Sequence, residues 1–584
     1  MPSRHTRPGW LAAAVLCVLV LAAGMIVYLT GPPSHGAVPR DPPLPRTAYP
    51  VPEGAVFASP RGTDSAAGTE RDPLRTLTEA VRAADPGDTV VLRGGTYRES
   101  VGMIRKRLTI QPFPGERVWL KGSLPVREWE ADGKVWQHTG WRDELCNDCY
   151  LPEIVDGDHP LAGRPQMVFL NGKPLRQVAA RGQVRPGTFY AGGDVVVIGD
   201  DPSDRSVEVT AYDHLLQFDG EAAAGSRLRG VGVAHYGSNQ RYGAHGAMVV
   251  VNAPDVRVER ATFRYSASTG LAVFQPGVRV SDSTFTTNGL VGLQANRADR
   301  LRVTGSRFDG NNAEHFAVSG EAVGAAGAKV TRTVRPYFAD NVFTGNHATG
   351  WWCDLGCTHA TVIHNRAVGN SGHGMHYEVS SRALIADTVF ARNGGHGLKV
   401  SSADGVRLYH NTFTENRGGS LGLYNDPRLP SFDPYSESLG LSWLTADLVA
   451  VNNLLVQQRS SLPVVRSADY RDEPRGNPAF VTRADANGYL RAGSGADGET
   501  TEPLAVLVIG DGKARSFRGL ADLRRAGFER HGLTGRPGAV RFAADYTLRP
   551  GSAGIDAGVR IPRDVAETLG ITAERHPDLG VLAR

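Results

Sequence analysis

Asp354 and Glu378 stand 24 residues apart inside a stretch that repeats itself every 22 to 24 residues. A chain that coils once per repeat stacks residues at that spacing above one another. If the coil is made of β-strands, each turn rises by the inter-strand distance of roughly 4.8 Å. Two carboxyl groups held about 5 Å apart can break a glycosidic bond with retention of configuration. One delivers a proton to the leaving oxygen while the other meets the developing oxocarbenium ion. One must therefore stay protonated near neutral pH while the other is ionised. Mutual repulsion in a partly dry groove raises one pKa and separates the roles.

The repeat that must position this pair can be indexed on one apolar column: Phe263, Phe285, Phe308, Phe343, Ala367, Phe390, Phe413 and Leu455. The gaps are 22, 23, 35, 24, 23, 23 and 42 residues, so two coils carry loop insertions. Three positions on runs a polar column: Ser266, Asn288, Asn311, Asn346, Asn370, Asn393, Asn416 and Gln458. Stacked amides bonding along an axis are expected of parallel strands in register. The β-branched, Gly- and Asn-rich content disfavours a helical repeat, and the L-x-x-L-x-L pattern of a leucine-rich repeat is absent. The fold class expected is all-β, a parallel β-helix.

Strand alternation then sorts faces. Positions eight and ten after each marker read Leu271/Val273, Leu293/Ala295, Phe316/Val318, Trp351/Cys353, Met375/Tyr377, Leu398/Val400 and Leu421/Leu423, an inward set. Positions nine and eleven face out: Ala272/Phe274, Gln294/Asn296, Ala317/Ser319, Trp352/Asp354, His376/Glu378, Lys399/Ser401 and Gly422/Tyr424. Asp354 and Glu378 share the last outward column on adjacent coils. Trp352, His376, Lys399, Tyr424 and Asn296 join them as candidate sugar-binding residues; Tyr424, Asn425, Asp426 and Arg428 begin an excursion over roughly 424–442 that walls one side of the groove, with Asp426 as a reserve carboxylate. Lys399 is read as an ion-pair partner for the carboxylates. Two solvated surface acids are the plain alternative.

The chain is 584 residues long with a formal net charge of only +4 and no basic block, which argues against a nucleic-acid partner. Residues 1–30 carry an apolar run, Trp10–Leu29, behind Arg4 and Arg7. That length suits a membrane anchor with the rest of the chain outside the cytoplasm, and a cleaved secretion signal is the alternative. Residues 31–52 hold eight prolines and read as a spacer. Residues 53–121 form an entry segment whose helix near Thr76–Ala84 caps the coil. Residues 122–212 lose the repeat and read as an inserted β-subdomain. The coils resume over 213–460, and 461–584 close the structure. Cys146, Cys149, Cys353 and Cys357 suit disulfides outside the cell better than a zinc site, with the pairing open. His373, His376 and His396 show no repeating metal-ligand spacing, so no metal is expected.

The segment GWWCDLGCTHATVIHNRAVGNSGHGMHYEVSSRALIADTVF (350–390) resembles the parallel β-helix β-xylosidases of glycoside hydrolase family 120. That resemblance implies a right-handed β-helix, with Asp354 as nucleophile and Glu378 as acid/base. It extends loosely to 55–100 and 185–202. The cysteines of CDLGC, His376, and an aromatic directly before Glu378 depart from the family pattern. Two other functions compete with a glycosidase acting on an oligo- or polysaccharide. A polysaccharide lyase of the same fold would use Lys399 as base and Asp354 and Glu378 to hold Ca²⁺. A non-catalytic surface protein would bind carbohydrate through aromatics such as Trp351 and Trp352 alone.

Overall fold

The computed structural model describes residues 44–142, 145–146, 154–238, 246–317, 324–459, 461–471, 476, 478–493, 502–509 and 513–583. The expected membrane segment 10–29, most of the proline-rich spacer, and Cys149 lie outside them. Among the described residues no helix is long and apolar enough to cross a membrane.

Three sheets of thirteen strands each run the length of the molecule, and each coil contributes one strand to every sheet. The Phe column lies in one of them, in unbroken register Phe263↔Phe285↔Phe308↔Phe343↔Ala367↔Phe390↔Phe413↔Leu455. The rings stack at centroid distances of 5.0 Å for Phe263–Phe285 and 4.8 Å for Phe285–Phe308, the spacing that adjacent strands impose. Beside it the amide ladder runs from Ser266 to Asn416, each Asn donating through Nδ2 to Oδ1 of the next coil's Asn. Gln458 is exposed and stands outside the ladder. A second ladder, which the sequence reading missed, links Asn341 to Asn365 and Asn411 to Asn453 and Asn487. Buried amides are tolerated here because each coil satisfies the next. Changing Asn370 to Ala leaves the Asn346 backbone N–H and the Phe343 carbonyl without their partner. The expected loss is about 1–3 kcal/mol per orphaned group, read as a lower melting temperature by circular dichroism.

Corners between sheets turn through left-handed backbone at equivalent places, among them Arg260 (φ 49°), Asp282 (φ 50°), Asp340 (φ 59°), His364 (φ 62°) and His410 (φ 53°). At the N-terminal end the helix Leu77–Ala83, capped by the Thr76 hydroxyl on Glu79 N–H, buries Leu77, Ala80 and Val81 over the first coil. Residues 123–210 form two small sheets, of four and five strands, in which the Ser123–Val126 strand and its neighbours pair antiparallel. They are tied to the solenoid by the buried Glu208 carboxylate, which accepts from Lys121, Ser123 and Arg98.

Two expectations need correction. Stacking does not stop at 460: strands Val465–Asp469, Val481–Asp485 and Gly488–Arg491 add a further coil, and Leu533–Gly535 pairs beyond it. The markers fail there because Tyr489 replaces Phe and Ala492 stands three positions on, where the polar column carries an amide. The second error concerns the 35-residue gap. The strand of that coil is Ala326–Thr331, with Ala328 and Val330 inward and Lys329 and Thr331 outward. Phe316 lies in a satellite cluster with Leu290 and Ile154, while Val318 and Ser319 fall outside the described residues. The insertion precedes the strand instead of following it.

Candidate active site

The outward column around the carboxylates reads Asn296, Thr331, Asp354, Glu378, Ser401, Tyr424. Pairing of Cys353 with Tyr377 carries Asp354 and Glu378 to adjacent coils, one rise of about 4.8 Å apart. Each ends its strand, and a left-handed residue follows: Leu355 (φ 52°) after Asp354 and Val379 (φ 41°) after Glu378. A β-branched residue in that region is strained, and such strain gathers at functional sites. The turn after Asp354 is pinned by a Cys353–Cys357 disulfide with a Cα–Cα distance of 6.0 Å. Tyr377 Oη donates to the Cys357 and Ser381 carbonyls and so ties the two strand ends together. Cys146 is disulfide-bonded as well.

The carboxylates are not solvated surface acids. Their side chains are only 8% and 10% exposed, because residues 426–447 leave the solenoid after the Leu421–Asn425 strand and fold back over them. Asp354 Oδ2 accepts from Lys329 Nζ at 2.8 Å, while its buried Oδ1 has no hydrogen-bond partner. Lys329 Nζ also sits 3.0 Å from the centre of the Trp352 ring. The Trp352 indole N–H donates to Glu378 Oε2 at 2.8 Å, and Arg428 donates to Glu378 Oε1. Arg428 is steadied by Asp426, through Nε to Oδ1 at 3.1 Å and NH2 to Oδ2 at 3.0 Å. Trp352 stacks on His376 at 5.3 Å, and His376 Nε2 meets Ser401 Oγ at 2.8 Å.

Burial, and after it the charge of Asp354, pushes the Glu378 carboxyl up to about 7 despite the opposing pull of Arg428 and Lys329. Burial drives His376 well below its ordinary range, helped by Lys399, so the imidazole stays neutral. Its 3.6 Å approach to Glu378 is then not an ion pair. Burial also lowers the Lys329 ammonium, against the raising effect of Asp354.

The predicted site residues therefore divide. Trp352 and His376 lie beside the carboxylates, Trp352 bonded to Glu378 and stacked on His376. Asp426 does not approach as a reserve acid; it accepts from Arg428 and Ser402. Lys399 forms no salt bridge with either carboxylate, although its charge still lowers the Glu378 carboxyl; its Nζ lies 6.0 Å from the Tyr424 ring. Asn296 sits two coils before Asp354. Lys329 was missed, and Arg428 was read as part of the groove wall but not as a partner of Glu378. Lys329 was hidden by the misplaced insertion, yet a signal existed. Gly270, Gly292, Gly327, Gly350, Gly374 and Gly397 each precede an inward–outward–inward triplet, and Gly327-Ala-Lys-Val belongs to that series. A Cβ at Gly327 would lie 2.5 Å from the Gly350 carbonyl oxygen and 2.9 Å from Asn346 Nδ2, so the amide ladder excludes any side chain there.

Among the described residues no group of three or more His, Cys, Asp or Glu could hold a metal ion. The cation that a lyase would place between Asp354 and Glu378 also meets Lys329 and Arg428 there, so the donor set does not fit Ca²⁺.

Residues 227–413 match the family described as right handed beta helix region, and residues 61–104 match a protein family of unknown function, DUF1565. Two curated proteins are related over short stretches. The uncharacterized protein YwoF of Bacillus subtilis (strain 168) is 36% identical over 82 residues, 13% of this chain and 18% of that protein. Pectate lyase PEL9 of Emericella nidulans is 33% identical over 88 residues, 14% of this chain and 22% of that one. The chain thus spans less than a quarter of either curated relative it matches. Among solved structures, XylC in complex with xylose superimposes with a TM-score of 0.53 at 15% identity, over 75% of this chain and 83% of XylC. At that identity the likeness is one of fold. The protein is a right-handed parallel β-helix.

Proposed function

We propose that this protein is an extracytoplasmic carbohydrate-active enzyme, a glycosidase that hydrolyses its substrate with retention of configuration, as the family 120 resemblance also implies. The observation that carries this reading is the unequal treatment of the two buried carboxyls. Asp354 keeps one oxygen on Lys329 and one without a partner, as a nucleophile needs. Glu378 is raised to about 7, as an acid working at neutral pH needs. Asp354 Oδ1 attacks the anomeric carbon while the glycosidic C–O bond breaks and the Glu378 proton passes to the leaving oxygen. Glu378, now ionised, takes a proton from water, whose oxygen displaces Asp354 from the same carbon. Two inversions give retention.

As drawn, Glu378 accepts on both oxygens and is ionised, so taking up a proton must loosen its bond to Arg428. Asp426 holds the displaced guanidinium close by. The protonated form exists below about pH 7, so kcat/KM is expected to fall as pH rises through 7. Arg428 lowers the Glu378 pKa, so Arg428→Ala should move that fall to higher pH.

The match to a pectate lyase favours a second reading, β-elimination from a uronate. Proton NMR of the first product from aryl glycosides and polysaccharides separates the two. Retained anomeric configuration supports the hydrolase. Unsaturated products with rising ultraviolet absorbance overturn it.

A further inference from the structure

Downstream of Glu378 the outward face carries two cations that form no salt bridge among the described residues. The column Trp352–His376 continues through Lys399, Gly422 and Arg466. Around it the other cations are paired: Lys329 with Asp354, Arg428 with Glu378 and Asp426, Arg471 with Asp469. Among the described residues neither Lys399 nor Arg466 has an acidic partner within salt-bridge distance, and Arg466 is exposed. They stand two coils apart, about 10 Å along the axis.

The ground between them is aromatic. A Cβ at Gly422 would come within 2.7 Å of both His396 Nε2 and Tyr424 Cε2, so glycine is what lets those rings lie across the sheet. Tyr424 Oη is fixed by His396 Nε2 at 2.9 Å, and the Tyr424 ring stacks on Tyr470 at 5.7 Å with a 17° interplanar angle. Tyr470 is 53% exposed, one of few large apolar side chains the described surface shows to solvent. A flat, held aromatic pair between these two cations matches a pyranose ring bearing a carboxylate. The C–H face lies on tyrosine and the charge reaches the cations.

We propose that this face binds the leaving-group end of an acidic, uronate-containing oligosaccharide, with the exposed Tyr470 under the sugar, the buried Tyr424 backing that ring, and Lys399 and Arg466 on the sugar carboxylates. The assignment to the leaving-group end rests on the roles proposed for Asp354 and Glu378, because the proton donor lies on this side of the nucleophile. One coil rise of about 4.8 Å is close to the advance per sugar, so consecutive sugars meet consecutive coils.

Calorimetric titration of the whole protein with trigalacturonate, triglucuronate and their carboxyl-reduced counterparts tests this. At least one acidic trisaccharide should bind tenfold or more tighter than its reduced form, with the preference shrinking as salt rises. The Lys399→Met/Arg466→Met double variant should abolish the preference, and Tyr470→Ala should weaken both forms alike. Both replaced cations lie at or near the surface, and an unchanged melting temperature certifies folding. Equal binding of acidic and reduced sugars overturns the inference, and if neutral glycans are still hydrolysed the catalytic reading survives it. Charge-dependent binding without hydrolysis of any glycan has the opposite meaning: the binding face stands and the hydrolase reading falls.

Discussion

Replacing Glu378 by Gln is expected to lower turnover of a natural glycoside about 10²–10⁴-fold, the usual contribution of a positioned general acid. The amide still receives the Trp352 N–H through its oxygen, so the fold should persist. The loss should depend on the leaving group. An activated aryl glycoside needs little protonation and should still form the glycosyl-enzyme, which then accumulates because no base activates water. Added azide, a nucleophile that needs no base, should restore turnover and yield a glycosyl azide of retained configuration. Burst kinetics with azide rescue check the assignment. Equal losses for poor and activated leaving groups, with no rescue, would remove Glu378 from the acid/base role.

Lys329→Met should cost more than activity. Breaking a buried ion pair by deleting one member leaves an uncompensated charge, typically about 3–5 kcal/mol. Asp354 would lose its hydrogen bond to Nζ, and Trp352 would lose the cation seated on its ring. Both are contacts of the proposed catalytic pair, so kcat should fall with the melting temperature. The double variant Lys329→Met/Asp354→Leu removes both charges and should recover much of the stability but none of the activity. Thermal melts with single-turnover rates decide this. A Lys329→Met protein as stable and active as the original would show that the pair does not set the site.

How much of this was readable from residues alone depended on which signal each part left in the chain. The Phe and Asn columns are written at one-coil spacing because stacked rings and amides only satisfy each other in register, so the coil phase followed directly. Asp354, Glu378, Trp352 and His376 fell into place with it. Where an insertion enters a coil leaves no such mark, and the 35-residue gap could be split before or after its strand. That ambiguity moved Phe316 and Val318 into the core on paper and kept Lys329 out of sight. Arg428 was legible as part of the loop that walls the groove, but not as a partner of Glu378. It lies on a non-repeating excursion, and its placement over Glu378 depends on tertiary contacts such as Arg332 with Asp433, whose partners are 101 residues apart. Burial of the pair was hidden with it. The extra coil beyond 460 escaped because Tyr489 stands in the Phe column and Ala492 leaves the amide column empty three positions on.

The excursion over 426–447 has a mechanical consequence for the molecule. In a solenoid each coil touches only its neighbours, so coils in the middle can open almost independently of those further away. Here one segment reaches across them. Tyr435 lies under Arg297 at 5.1 Å, Asp433 holds Arg332, Arg428 holds Glu378, Ser442 bonds to Asp404 at 2.7 Å, and Thr445 returns to the Tyr424 carbonyl. These contacts belong to five of the six coils from Arg297 to Tyr424. They act as a lacing that turns a stack of separable rungs into a single cooperative block. Amide hydrogen exchange should therefore show one common opening free energy for the strands of this block, with graded fraying confined to the coils on either side.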